Sequence, residues 1–231
     1  TGRPVGQQFG YVTDGFFSQE DVEKYAINKG MEGGIPDHNF SPKAGDVKYR
    51  DLNGDYKIDD KDVAAIGYPK YPLLTGNMSL GFSWNGLDFS MVWSGAFKTS
   101  RLVSSFYRVP FDTTNNRALL SYMIKDAWTP EKGDSSTAPA ISFGASKANN
   151  YKDSDLWLRD ASYVRLKNIE LGYSFPKQIV KKMHLGTLRL SVSGYNLLTF
   201  DDMGFCDPES NPDGQAYPLI KVVNFGLKVG F

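Results

Sequence analysis

The amino-acid sequence predicts an all-β fold, an antiparallel transmembrane β-barrel with long extracellular loops. Two observations support this prediction. Apolar and polar residues alternate with a period of two over several stretches, as they do in strands with one apolar and one polar face. The links between these stretches are alternately long and short, which would place all the long links at one end of an antiparallel sheet.

The final stretch, residues 220–231, shows the alternation most clearly. One side of an extended strand would carry large apolar residues and the other would carry mainly small or polar ones. The first set is Val223, Phe225, Leu227, Val229 and Phe231, and the second is Val222, Asn224, Gly226, Lys228 and Gly230. A barrel strand must face lipid on one side and the lumen on the other, and a final aromatic residue suits a strand that closes such a barrel.

Other stretches repeat this pattern and are predicted to be strands of the same kind. They are residues 5–13, 75–85, 87–97, 163–175 and 187–200. The alternation within residues 163–175 changes phase near Lys167, which predicts a β-bulge there.

The links divide into short turns and long loops. Asn85 and Gly86 both tolerate positive φ, so they are expected to close a tight hairpin. Residues 176–186 form a second short link, with one helical turn expected at residues 177–183. The long links are predicted to be extracellular loops; they cover residues 16–72, 98–160 and 201–218. Trp84, Trp93, Tyr173 and Phe231 fall near strand ends, where they are either girdle residues at the lipid head groups or ordinary core aromatics.

The composition excludes several classes of protein. The 231 residues include 26 basic and 26 acidic side chains, so the formal net charge of zero argues against a nucleic-acid binder. The single cysteine, Cys206, excludes an internal disulfide framework. No stretch approaches the ~20 apolar residues of a membrane-spanning helix. The sequence begins at Thr1 with no initiator Met, basic segment or apolar segment, and we expect this start to be an interior cut.

The sequence shows no recognisable catalytic motif. Its only histidines, His38 and His184, lie in separate links with no obvious nucleophile beside either. Nucleophile-elbow, zinc-protease, Walker and dinucleotide-binding motifs are all absent from the sequence. We therefore expect no enzyme activity, although carboxylate pairs in the loops leave a glycosidase open.

Residues 51–62 match a twelve-residue calcium loop. The positions that supply oxygen ligands in such loops correspond to Asp51, Asn53, Asp55, the carbonyl of Lys57, Asp59 and Asp62. The loop departs from the usual pattern twice. Tyr56 replaces the usual glycine, and a left-handed conformation there costs roughly 1–2 kcal/mol. Asp62 replaces the longer, bidentate Glu.

The hypothesis for this acidic loop is a structural Ca²⁺, and the alternative is a solvated acidic turn. Carboxylates packed this closely repel one another unless a cation neutralises them. On this hypothesis the ion orders a long link that has no core of its own. A helix is expected to begin at Asp62.

Several runs of residues resemble one protein family, and they occur in family order along nearly the whole chain. The most specific is WLRDASYVRLKNIELGY at residues 157–173. The others are GYVTDGFF with SQED at residues 10–21, GDVKYRDLNGD at 45–55 with IDDKD at 58–62, LRLSVSGYNLLTF at 188–200, the segment at 207–209, Tyr217-Pro218 and the terminal strand. Together they resemble the SusC-like (RagA/SusC family) TonB-dependent outer-membrane transporters.

The resemblance implies the carboxyl-terminal part of a TonB-dependent receptor, about the last six strands of a 22-stranded plugged barrel. It also implies a location in the bacterial outer membrane, in Bacteroidetes-type bacteria, and import of oligosaccharides or of peptides. The implied partners are a SusD-like surface lipoprotein, which would lie over the barrel, and TonB, which would act on an upstream part of the protein.

The family assignment also gives expectations for individual residues. Polar strand residues would face the lumen, namely Asn168, Glu170, Arg189, Asn224 and Lys228. The long links would form the outer mouth and contact lipoprotein or ligand. The aromatic candidates for stacking on a sugar or partner are Tyr107, Trp128, Tyr151 and Trp157, although packing is the favoured role for each of them.

Three rival interpretations remain. A soluble calcium-stabilised carbohydrate-binding β domain would explain the acidic loop and the aromatics but not the sorted links. A dockerin-like module would need a second copy of the acidic loop, and the sequence has one. A barrel enzyme would need a catalytic group, and none is identifiable.

Overall fold

The computed structural model describes residues 2–111, 118–204, 206–210, 217 and 219–231. The chain divides into two compact units. The first takes in the described residues between 2 and 70 and between 100 and 159. The second takes in those between 71 and 99 and from 160 onward.

The elements follow one another in chain order. The first stretch contains β1 (Gln8–Gly10), β2 (Thr13–Phe16), α1 (Gln19–Asn28), β3 (Val47–Tyr49) and β4 (Ala64–Ile66). The middle contains β5 (Leu74–Trp84), β6 (Leu87–Phe97), β7 (Ser100–Leu102), α2 (Ser105–Arg108), α3 (Ser121–Asp126), α4 (Gly144–Asn150) and β8 (Leu158–Asp160). The last stretch contains β9 (Tyr163–Ser174), α5 (Lys177–Lys182), β10 (Thr187–Asp201) and β11 (Val222–Gly230).

The first unit has its own aromatic core. Val47, Tyr49 and Ile58 form a buried cluster, with Tyr11 and Phe16 packed against it. Phe17, Tyr25 and His38 are also buried, and their rings meet edge to face. Most of this core lies within residues 16–72, a link that was expected to have no core of its own. That expectation was wrong. It was wrong because single apolar residues spaced along an irregular chain give no periodic signal.

Short two-stranded ribbons frame this core. β1 pairs with β4, β2 with β3, and β7 with β8. α1 begins with a capping box, in which Ser18 Oγ accepts from the Asp21 amide and the Asp21 carboxylate accepts from the Ser18 amide. The box fixes the start of α1, which buries Tyr25 on its inner face.

The ends of the long link between β6 and β9 lie side by side. The Ala161 amide donates to the Thr99 carbonyl at 2.9 Å, and the Lys98 amide donates to Ser162 Oγ at 3.1 Å. β7 and β8, which are the next segments inward, pair with each other. The link is therefore closed at a narrow neck where its two ends meet.

The second unit is a five-stranded antiparallel sheet in the order β11-β10-β9-β6-β5. Each strand pairs with its neighbours in the chain order of these five, so the sheet is a meander. Asn85 and Gly86, with φ of 50° and 85°, close the β5–β6 hairpin as predicted. α5 supplies the predicted helical turn in the second short link. The long links leave the sheet at the opposite end from these short links, as the sequence indicated.

The two faces of the sheet differ as the alternation predicted. Residues on one face pair across all five strands as Phe82, Phe89, Leu171, Val192 and Phe225. This row is apolar and largely exposed, with Phe225 86% and Phe82 54% accessible. The next row along faces the other way and contains Ser83, Asp88, Gly172, Ser191 and Gly226. One face is thus a hydrocarbon surface and the other is small and polar.

The predicted bulge at Lys167 is confirmed. β9 pairs with β6 through Asn168 and then through Leu166, so Lys167 is skipped. The same skip occurs where β9 pairs with β10, between Asn168 and Leu166. The bulge lets the alternation resume with Arg165 on the polar face.

Two further expectations from the sequence were wrong. Residues 5–13 do not add a sixth strand to the sheet, because they contribute β1, which pairs with β4 in the first unit. No helix begins at Asp62: a 3-10 turn at Asp60–Asp62 leads directly into β4. In the predicted third loop, residues 205, 211–216 and 218 lie outside the described part of the chain.

Candidate functional site

The polar face of the sheet carries an ion-pair cluster across three strands. Arg189 on β10 pairs with Asp88 on β6 and with Glu170 on β9, the latter at 2.9 Å. The guanidinium crosses above Gly172, where an added Cβ would lie 2.3 Å from Arg189 Nη2. Glycine at this position therefore lets the long side chain lie flat on the sheet.

The residues predicted to face the lumen share this face. Glu170 and Asn224 both lie opposite Ser193 of β10, Asn168 lies opposite Tyr195, and Lys228 lies opposite Arg189. Directly opposed residues of antiparallel strands point to the same side. The register therefore confirms that the predicted set is on one face, opposite the apolar surface.

A second cluster joins β9 to the link that follows β10. Arg165 is only 1% exposed, and its guanidinium pairs with Asp207 at 2.7 Å and Glu209 at 3.2 Å. Lys167 and the Tyr163 hydroxyl also donate to Glu209, at 2.7 and 2.6 Å. The Glu209 carboxyl is partly desolvated, which alone would raise its pKa, but its bonds to Lys167 and Tyr163 leave the pKa below its usual value.

Sequence reasoning missed this rim cluster (Tyr163, Arg165, Lys167, Asp207 and Glu209). Both segments were noted for their family resemblance, yet no spacing connects a strand residue with a loop residue 42 positions later. A buried Arg among the polar strand positions was the only available signal.

The first half of the acidic loop is a tight turn held by hydrogen bonds to its own side chains. Asp51 accepts the amides of Gly54 at 2.7 Å and Tyr56 at 2.6 Å. The Asn53 side-chain amide donates to the Asp55 carboxylate, and the Asp55 backbone amide donates to Asn53 Oδ1. Tyr56 has φ of 61°, the left-handed conformation whose cost at a non-glycine residue was counted against a calcium loop. Ile58 is buried and anchors the loop in the core of the first unit.

The second half uses its carboxylates differently. Asp59 accepts from the Lys61 amide and caps the 3-10 turn. Asp62 is fully buried, and its oxygens accept the amides of Leu52 and Asp59 at 2.8 and 2.9 Å. Within the described ranges, no group of three His, Cys, Asp or Glu side chains is arranged to hold a metal. Asn53 and the Lys57 carbonyl would therefore have to contribute, and the Ca²⁺ site stays a prediction.

The aromatic candidates are mostly packing residues in the first unit. Trp157 is 5% exposed, and its indole donates to the Asn150 carbonyl at 2.9 Å. The Tyr151 ring lies tilted beside it, with 5.5 Å between the ring centroids, and burial raises the pKa of the Tyr151 hydroxyl. Trp128 and Tyr107 are half-buried, and Trp128 packs against Gly45. Their role in binding stays a prediction.

His38 is a structural residue. It is 4% exposed, Nε2 accepts from the Tyr49 amide at 2.9 Å, and Nδ1 lies 2.8 Å from the Pro36 carbonyl. The ring must therefore be neutral, with its proton on Nδ1. Burial is the main cause that lowers the His38 pKa to about 4.

Beside His38 a groove of about 360 Å³ opens in the first unit. Its walls come from four parts of the chain: Tyr11, residues 38–40, residues 58–60, and α4 with Lys152. The Lys152 ammonium lies 4.8 Å from the centre of the Tyr11 ring and 5.8 Å from that of Tyr49. Desolvation lowers the Lys152 pKa. The Tyr11 hydroxyl contacts Asp60 at 3.4 Å.

A meander with one exposed apolar face, one polar face and sorted links defines the class: a section of wall from an outer-membrane-type β-barrel. No protein-family model matches the chain. Its sequence is similar to TonB-dependent receptors. TonB-dependent receptor P3 of Formosa agariphila is 26% identical over 249 residues, covering 100% of this chain. TonB-dependent receptor SusC of Bacteroides thetaiotaomicron is 25% identical over 225 residues, covering 96% of this chain. These similarities confirm the resemblance to SusC-like transporters.

Solved structures give the same fold. The RagAB peptide transporter superimposes with a TM-score of 0.67 at 18% identity over 97% of this chain. RagAB in its closed-closed state gives a TM-score of 0.66 at 19% identity. The chain spans only about a fifth of its relatives, 22% of receptor P3 and 20% of SusC. The relatives are named as receptors and transporters, not as enzymes. Across the part of the chain that is described, no helix is long and apolar enough to span a membrane.

Proposed function

We propose that this chain forms part of the barrel wall and external mouth of an outer-membrane, TonB-dependent importer of oligomeric nutrients. The observation that carries the proposal is the sheet with opposed faces. Its apolar row from Phe82 to Phe225 suits lipid, and its polar row, with Asp88 and Arg189, suits an aqueous lumen. The similarity to TonB-dependent receptors supports it.

The same proposal includes partners. A SusD-like surface lipoprotein would cover the outer mouth, and TonB would act on a part of the protein outside this chain. The family resemblance supports both, as does the fold shared with RagAB. The cargo would be an oligosaccharide or a peptide, captured by the first unit and the external links.

The test uses the full-length protein in its native outer membrane. A functional protein would show heat-modifiable migration in the outer-membrane fraction and would co-purify with a surface lipoprotein. Cells that carry it would take up labelled oligosaccharides or peptides, and that uptake would stop when TonB is deleted. A detergent-independent soluble protein would contradict the proposal and favour the soluble carbohydrate-binding β domain.

We also propose that residues 51–62 hold a structural Ca²⁺, with ligands from Asp51, Asn53, Asp55, the Lys57 carbonyl, Asp59 and Asp62. The positive φ of Tyr56 and the buried anchor Ile58 support this arrangement. Calorimetric titration of chelator-treated full-length protein with Ca²⁺ tests it. Binding should be lost in Asp51→Asn and retained in Glu20→Gln, which alters an exposed acid on α1. Equal binding by both variants would overturn it.

A further inference from the structure

The surface of the first unit carries a groove between Tyr11, Phe40, residues 58–60 and Lys152. Its volume of about 360 Å³ lies within the usual range for small-ligand sites, roughly 300–1,000 Å³. Polar groups of several kinds converge on it. Asn39, Asp59, Asp60 and Lys152 all contribute to its lining.

The cation among these groups is the Lys152 ammonium. It is half-buried, yet none of the ion pairs among the described residues involves it. By contrast, Lys48, whose side chain is 19% exposed, pairs with Asp21 at 3.1 Å. The Lys152 ammonium lies against the rings of Tyr11 and Tyr49, which hold it by cation–π contact and leave its N–H donors available.

A hydrogen-bond acceptor lies close to this donor. Asp60 is exposed, and its carboxylate accepts a long hydrogen bond, 3.4 Å, from the Tyr11 hydroxyl. Tyr11 thus carries the ammonium on its ring face and the carboxylate at its hydroxyl end. Phe40, partly exposed, adds an apolar wall.

We infer that this groove is a binding subsite for a neutral saccharide, with Lys152 donating to one hydroxyl or ring oxygen and Asp60 accepting from another hydroxyl. The inference rests on the proposed import function and names the class of cargo that this groove takes. A sugar hydroxyl both donates and accepts, so it matches a lining that carries both kinds of group. The size of the groove suits about one or two sugar rings.

The lining argues against the other cargo classes. Asp60, which is not among the proposed Ca²⁺ ligands, offsets the charge of Lys152, so the groove offers an acidic ligand no net positive charge. Peptides are commonly captured by an exposed strand edge that pairs with their main chain. In this groove the Ile58 amide already donates to the Asp37 carbonyl, so it cannot pair with the main chain of a peptide. The groove instead presents side-chain groups to a ligand.

The test is calorimetric binding to the purified full-length transporter in detergent. The probes are maltoheptaose, cellohexaose and inulin as neutral saccharides, and a tryptic digest of casein as a peptide pool. We expect at least one saccharide to bind, and Lys152→Met and Asp60→Asn each to weaken its Kd by about tenfold. The matched control is Lys24→Met, which removes an exposed lysine paired with Glu20 on α1. Asp60 is exposed, and Met keeps an apolar stem in place of that of Lys152, so heat-modifiable migration should be unchanged.

The outcomes separate this inference from the import proposal. Saccharide binding that is equal in Lys152→Met, Asp60→Asn and the control would overturn the subsite while import stands. Binding and TonB-dependent uptake of peptides only would also overturn it, and would leave import intact. Loss of uptake for every probe in the unmodified protein would overturn the import proposal together with the subsite.

Discussion

Replacing Arg165 with Met should release the link that follows β10 from the sheet. The guanidinium is 1% exposed and pairs with Asp207 and Glu209, whose side chains are 14% and 27% exposed. Removing one partner of a buried ion pair typically costs about 3–5 kcal/mol. Asp207 and Glu209 are partly exposed and would regain contact with water, so the expected loss of stability is smaller, roughly 2–3 kcal/mol.

Hydrogen exchange can measure this loss directly. The Glu209 amide donates to Asp207 Oδ1 at 2.9 Å, and the Ser210 amide donates to the Asp207 carbonyl at 3.0 Å. Both bonds depend on Asp207 staying in place. A loss of roughly 2–3 kcal/mol in the free energy of local opening should speed exchange at these amides about 30- to 150-fold.

Lys167→Met is the matched control. Lys167 also pairs with Glu209, at 2.7 Å, but its side chain is 34% exposed, so the loss should stay below about 1 kcal/mol and exchange should rise by about fivefold at most. Equal exchange rates in Arg165→Met and the control would refute the reasoning, because they would mean that burial adds nothing to the Arg165 pair.

Three other predictions follow from the site geometry. His38 is neutral when folded and its pKa is lowered to about 4 from 6.5, so the stability it contributes is complete above pH 6.5 and is lost as the pH falls toward 4. Between pH 7 and 5 the loss should reach about 2 kcal/mol, seen as faster exchange of the Tyr49 amide after correction for intrinsic rates, and His38→Gln should abolish this dependence. Tyr56→Gly should relieve the strain of φ 61° and raise the free energy of unfolding of the first unit by roughly 1 kcal/mol, seen as a higher melting temperature. An unchanged or lower melting temperature would contradict this. Phe225→Arg should destabilise the barrel by about 2–4 kcal/mol and reduce the heat-modifiable fraction, whereas Asn224→Ser on the opposite face should have little effect.

The parts of the fold that the sequence predicted are those set by local periodicity. The opposed faces of β6 and β10, the Asn85-Gly86 turn and the Lys167 bulge depend on neighbouring residues only. Each is therefore visible as a change of pattern within about ten residues.

The parts that it missed depend on contacts between distant segments. Residues 5–13 alternate like a barrel strand, but an added Cβ at Gly10 would lie 2.6 Å from the Asp153 carbonyl oxygen, so this segment packs closely against a distant one. Ala64–Ile66 has helix-forming residues, but it pairs with β1 more than 50 positions away. Periodicity does not say which partner a strand will find.

The candidate site shows the same limit. The positions of Glu170 and Arg189 on the polar face followed from alternation, whereas the contacts of Arg165 in the rim cluster did not. The groove beside Lys152 combines four separate stretches of sequence, and no motif spans them.

The neck between β6 and β9 has a consequence for how such proteins diversify. The hydrogen bonds from Ala161 to Thr99 and from Lys98 to Ser162 hold the ends of the link together, whatever lies between them. Lengthening a closed link adds little entropy cost, about 0.6 kcal/mol for each doubling. Selection can therefore replace or enlarge the inserted segment without shifting the register of the strands on either side. The inserted segment and the sheet can then evolve as separate modules.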